Sequence, residues 1–188
     1  MLDSSNIARL RQLTGNADSI DFLNYCLGCR EDSELPVFER FNPFDLPTFV
    51  PNMFIIDLRE GYDSGLLLKF SGTLIDGYFG RNIQGMKLED LYRGDPDRMD
   101  MISRYHRCAE RREVYFRQRD SEYEFRIRGL ERGAQDMIIV PMTSNKHPDK
   151  GIGDPPKVSF LCGVASFAIK SGVTQTVEEF LPLADRVD

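Results

Sequence analysis

An α+β domain closed by one antiparallel sheet is the fold class the sequence predicts, and three observations carry that prediction. Strand-like apolar runs recur from Met53 onward; helical spacing concentrates in the first 30 residues and near residues 95–111; glycines and prolines punctuate the joins. With 188 residues and 41% apolar composition the chain can close one sizeable core. The expected division is an N-terminal helical extension over 1–30, a domain over 31–170 and a C-terminal tail over 171–188.

Ile7, Leu10 and Leu13 predict a first helix, and Ile20, Leu23 and Leu27 a second behind the cap Ser19. Phe22 and Tyr25 widen the second stripe. Ile20, Phe22, Leu23, Tyr25 and Leu27 are therefore expected either to pack on the chain's own core or to meet a second copy or a signalling partner. Across 31–51, Pro36, Pro43, Pro47 and Pro51 forbid a long regular element while Phe38, Phe41, Phe44 and Phe49 require burial, which predicts an ordered connector wrapped on the core.

Residues 53–58 and 65–70 read as an antiparallel hairpin. Gly72, Gly77, Gly80 and Gly85 break the next segment into short helical or turn pieces, and Leu88 with Leu91 continues a turn. Asp95-Pro96 opens a helix running to about Arg111, with Met99, Ile102, Tyr105 and Ala109 on its inner face. Val114, Phe116 and Gln118 give a weakly patterned strand, and Tyr123, Phe125 and Ile127 against Glu124, Arg126 and Arg128 a clearer one. Residues 137–142 and 158–169 form apolar strands joined by the polar, exposed loop 143–157, and residues from Ser171 onward specify little structure.

Thirty acidic residues against 24 Lys plus Arg give a formal charge of −6, which disfavours a nucleic-acid surface made by overall charge. Four cysteines without disulfide-framework spacing, no secretory-type start and no long uncharged apolar span predict a reducing, cytoplasmic setting with no membrane role. Cys26 and Cys29 lack a second paired spacing among Cys108, Cys162, His106 and His147, so no metal site is expected. The glycines lack the Lys-Ser/Thr of a phosphate loop, and the serines lie in no nucleophile-elbow pattern. These absences argue against an enzyme; a small enzyme would need polar residues such as Tyr78, His106 and Arg126 to converge. Arg104, Arg107, Arg111, Arg112, Arg117, Arg119, Arg126 and Arg128 form either an anion or acidic-partner patch or, interleaved with acidic residues, a salt-bridged solvent face.

The run from Gly65 to Ile75, with Phe70 and Gly72-Thr73, then Gly80 and Gly85 ahead of Leu88 and Leu91, resembles a bacterial PAS-like domain of the group found in proteobacterial proteins of unknown function. The Pro36 to Pro51 connector and Val140-Pro141-Met142 fit the same pattern, whereas the 143–157 loop is longer than the family's usual link. The resemblance covers roughly 35–169. It implies a five-stranded antiparallel sheet with short helices on one face enclosing a small pocket, used for reception and for dimerisation through an N-terminal helix. Phe54, Ile56, Phe70, Leu74, Tyr78, Phe79, Ile127, Ile139 and Phe167 would line that pocket or, equally, fill a packed core. The expected function is a stand-alone sensory or regulatory module that binds a small molecule or a partner protein, with no cofactor specified by the sequence. The alternative is a structural scaffold with a solid core.

Overall fold

The computed structural model describes residues 17–31, 34–61, 64–95, 98–122, 134–146, 157–167 and 172–183, with Ala8 and Gln12. Six strands, β1 (Met53–Asp57), β2 (Leu67–Ser71), β3 (Glu113–Glu122), β4 (Ala134–Met142), β5 (Phe160–Phe167) and β6 (Gly172–Pro182), form one antiparallel sheet in the order β2-β1-β5-β4-β3-β6. The described helices are α1 (Ala17–Gly28), α2 (Thr73–Phe79), α3 (Leu88–Leu91) and α4 (Arg98–Arg111). The α+β class and the antiparallel sheet are as the sequence predicts, but the expected count of five strands is one short.

The additional strand is β6, in the segment expected to be an unstructured tail. It pairs with β3 from Glu113↔Pro182 to Glu122↔Gly172. Pro182, which has no N–H to give to a ladder, sits at the end of this edge strand, where a proline is tolerated. Leu181 and Leu183 are buried, and the Arg30 side chain, just beyond α1, donates to the Leu183 carbonyl at 3.1 Å, so the end of β6 is tied to the body of the domain.

Helices and connector cover both faces of the sheet, rather than one. Phe54 lies opposite Gly163 and its ring meets Tyr105 of α4 at 6.3 Å, while the adjacent Cys162 points the other way, toward Cys26 of α1. On the α1 face, Phe38 of the connector stacks on Phe160 at 3.9 Å, and Phe22 meets Phe41 and Phe49 at 6.2 and 6.0 Å. The connector is held at the end of β4 by Phe38 N–H donating to the Thr143 carbonyl and Thr143 N–H to that of Pro36, both at 2.9 Å. Phe44 departs from the expected burial and is 88% exposed. Because both faces are covered, β1, β4 and β5 read as continuous apolar runs instead of alternating ones.

The glycine-punctuated segment protects the outer edge of β2. Gly85 N–H donates to Leu68 at 2.7 Å, Leu68 to Met86 at 2.9 Å and Leu88 to Leu66 at 3.0 Å, while the Glu89 carboxylate accepts from Leu66 N–H. Asp76 of α2 accepts from the Ser71 hydroxyl and from Ile83 N–H, joining the strand end, the helix and the following turn. Gly72 is required where it stands, since a Cβ there would overlap the Val50 and Pro51 carbonyls. Gly80, at φ 69°, closes α2 in the left-handed conformation.

Two local expectations change. Met99 is 74% exposed, and α4 turns Ile102, Tyr105, Cys108 and Ala109 inward. Ser19 does not cap α1 but is buried within its first turn. The expected helix at Ile7, Leu10 and Leu13 and the strand at Tyr123, Phe125 and Ile127 lie outside the described residues, as does most of the 143–157 loop.

Candidate functional site

Of the side chains expected at a pocket, Phe54, Ile56 and Ile139 come together on the α4 face and are buried. The Phe54 ring occupies the space above Gly163, where any Cβ would collide with it. Phe70 is half-buried against the core. Leu74 is 54% exposed, and Ile75 takes the inward position of α2 instead, because Asp76 and Ser71 fix the helix rotation. Tyr78 and Phe79 are half-buried with rings 4.9 Å apart, and Phe79 meets Tyr92 at 5.8 Å. Ile127 and the Phe167 side chain lie outside the described part.

The same face carries a polar cluster. Strand β3 is covered on both sides, so its alternation sends Val114 and Phe116 toward α1 and the connector, and Tyr115 and Arg117 toward the α4 side. Arg117 pairs in register with Met137 on one side and Glu178 on the other. It is only 5% exposed, its Nε is buried without a hydrogen-bond partner, and among the described residues no carboxylate forms an ion pair with it. An arginine so placed carries a desolvation cost that no ion pair of its own offsets.

Three tyrosines lie within electrostatic reach of this guanidinium. Burial pushes the hydroxyls of Tyr92, Tyr105 and Tyr115 well above their ordinary range, and the positive charge of Arg117 acts in the opposite sense on each. The Tyr105 hydroxyl donates to the Met137 thioether, at 3.8 Å, which is a weak acceptor. The Tyr115 hydroxyl lies beside Glu178 without a well-formed hydrogen bond. Glu178 is engaged by Arg104 Nε at 3.0 Å, and these two side chains, 25% and 26% exposed, mark the side on which the cluster approaches solvent.

Other arginines of the group behave as a salt-bridged face. Arg107 pairs with Glu113 at 2.8 Å and stacks over Phe180, while Arg112 pairs with Glu34 at 3.3 Å. Arg117, by sequence a member of the same group, is drawn inside. Sequence reasoning misses Tyr92 and Tyr115. The signal that could find Tyr115 is the parity of β3: once both of its faces are covered, Tyr115 and the residue two beyond it have to be interior, whereas Tyr92, just past α3, carries no such signal.

A separate cleft of about 320 Å³ opens at the far ends of β1 and β2, walled by Asp57, Arg59, Glu60 and Lys87 among others. Two of its charges serve each other: Arg59 grips Asp57 at 2.6 Å, and Lys69, outside the lining, lies 3.8 Å from the same carboxylate. None of the expected pocket residues lines it.

The N-terminal stripe is largely used within the chain. Phe22 and Leu23 are fully buried and Ile20 nearly so, while the Tyr25 hydroxyl donates to Asp45 at 2.7 Å and its pKa is raised to about 12 by burial and that bond. Leu27 is half-buried, with Asp21, Asn24 and Gly28 the exposed residues of this helix near it. All four cysteines are buried free thiols, and burial raises the pKa of each. Among the described residues no group of three or more His, Cys, Asp or Glu is placed to hold a metal ion, and no helix is long and apolar enough to cross a membrane. His106 is half-buried on α4, and His147 and Arg126 lie outside the described residues.

No protein-family model matches the chain, and no curated protein matches it.

Proposed function

We propose that this chain is a PAS-like sensory or regulatory module that receives a small molecule between the sheet and α2–α4 and passes the event to a protein partner, without catalysis of its own. The observation that carries this reading is Arg117, buried with its Nε unpaired on the face that also holds Tyr115 and, through Met137, the Tyr105 hydroxyl. A domain that only holds a shape gains nothing from such a charge, since an apolar side chain of similar size would be the more stable choice. A receptor site gains recognition from it.

The PAS-like assignment is supported by the antiparallel sheet, by the short helices inserted between β2 and β3, and by the roles of Gly72 and Gly80 at the two ends of α2. Output through a second copy or a signalling partner would use the exposed side of α1, around Asp21, Asn24 and Leu27, because Phe22 and Leu23 are committed to the core. A scaffold with a solid core is the second reading, and the Phe54 ring packed over Gly163 favours it locally.

Hydrogen exchange separates the two. Protein purified natively and protein stripped by denaturing dialysis and refolded are compared; reception predicts faster exchange in α4 and β3 after stripping, and a scaffold predicts identical rates.

A further inference from the structure

Resting on the reception reading, we infer that the site takes a small organic carboxylate of single negative charge, with the carboxylate on the Arg117 guanidinium and an apolar body against the rings of Tyr92 and Tyr105. The unpaired guanidinium on this face selects the class. Arg104 is answered by Glu178 and Arg107 by Glu113, whereas Arg117, across from Glu178 in the β3–β6 register, forms no ion pair of its own among the described residues and its Nε has no partner. One such guanidinium fits the single carboxylate of a monocarboxylate. A phosphate monoester, carrying nearly two charges at neutral pH, would bring an excess negative charge into a site screened from water.

Geometry agrees with this choice of class. A guanidinium is a planar fork of five donors that matches the two oxygens of a carboxylate. The Tyr105 hydroxyl, whose partner in the chain is a thioether, is a second donor free to turn to a stronger acceptor. Tyr92 is half-buried and in ring contact with Phe79, so the surroundings offer aromatic surface to an apolar body. Entry lies beside the partly exposed Arg104 and Glu178.

The test uses the stripped full chain with hexanoate and benzoate, their matched alcohols hexanol and benzyl alcohol, and inorganic phosphate, followed by calorimetry and thermal shift. At least one carboxylate is expected to bind and raise the melting temperature with concentration, its alcohol to bind roughly 10- to 100-fold more weakly, and phosphate to have no effect beyond ionic strength. Arg117→Met is expected to lose carboxylate binding by a similar factor. Tyr105→Phe, which keeps the core volume, should lose severalfold and serves if the arginine variant does not fold. Equal binding of acid and alcohol, a preference for phosphate, or full affinity in both variants overturns the carboxylate assignment. Alcohol binding as tight as the acid's, with exchange slower in the native than in the stripped protein, would leave reception standing and remove only the carboxylate. No binding by any probe, with exchange unchanged by stripping, would remove both.

Discussion

Arg117 shows how little a residue's identity says before its neighbours are known. In the sequence it is one of eight arginines between positions 104 and 128, several of which pair with carboxylates at the surface. What sets it apart is that β3 is covered on both faces, and the sequence hides that because the covering depends on partners far along the chain. A charge buried without an ion pair of its own is a cost the ligand-free protein bears, so Arg117→Met should raise the stability of the stripped protein by about 1 kcal/mol or more in denaturant titration, while weakening the carboxylate response roughly 10- to 100-fold. Destabilisation together with retained binding would show that the guanidinium serves packing instead. The cysteines offer a parallel residue-scale check. With every thiol buried and its pKa raised, iodoacetamide at pH 8 should leave Cys26, Cys29, Cys108 and Cys162 unlabelled in the native fold and label them in denaturant. Rapid native labelling at any of them would contradict the burial.

At the scale of elements, legibility follows locality. The β1-β2 hairpin, α4 and the apolar strands β4 and β5 are readable because period and turn residues lie within one short window. The β6 strand is not, although Val173, Thr174, Thr176 and Val177 are β-formers, because its pairing with β3 spans a long stretch of chain and its charged Glu178 and Glu179 mask an apolar face. The apolar spacing puts the inner face of α4 one turn too early: Met99 begins the helix in solvent, and Cys108 takes the buried place. Two glycines illustrate element packing that only coordinates reveal. At Gly72 an added methyl meets backbone carbonyls that cannot swing aside, whereas at Gly163 it meets chiefly the Phe54 ring. Gly72→Ala is therefore expected to cost about 1–3 kcal/mol or more, and Gly163→Ala combined with Phe54→Leu to cost less than the sum of the single changes. Strict additivity in equilibrium unfolding would refute the proposed contact. The abrupt passage from α4 to β3 is made by Arg112 at φ 56°, a left-handed position that glycine occupies at lower cost.

For the whole molecule, ionisable groups define a pH window of stability. Glu39 is partly desolvated, yet the Ser144 hydroxyl and Asn145 N–H hold its carboxyl below the usual 4.5; Asp57 is similarly held below 3.8, burial being outweighed by Arg59. A lowered folded-state pKa contributes stability that is present above the unfolded value and lost as pH falls through the folded one, so unfolding free energy should decline below about pH 4.5. The buried tyrosines and thiols act with the opposite sign. Their raised values contribute stability that is complete below the unfolded values of 10.0 and 9.0 and lost as pH rises beyond them. Chemical denaturation across pH should show a plateau between these limits, and a maximum confined to the acid side would contradict the assignment. Removing residues 172–188 deletes β6, bares one side of β3 and takes Glu178 from Arg104, so the shortened chain should lose cooperative unfolding. The proposed reception is a claim about the molecule as a whole, and native mass spectrometry of the untagged protein beside its denatured mass tests it most directly. A receiving domain should carry an excess mass of a few hundred daltons or less per chain that disappears on denaturation, with less of it in Arg117→Met; a native mass equal to that of the bare chain, with no uptake of added carboxylates, would contradict reception.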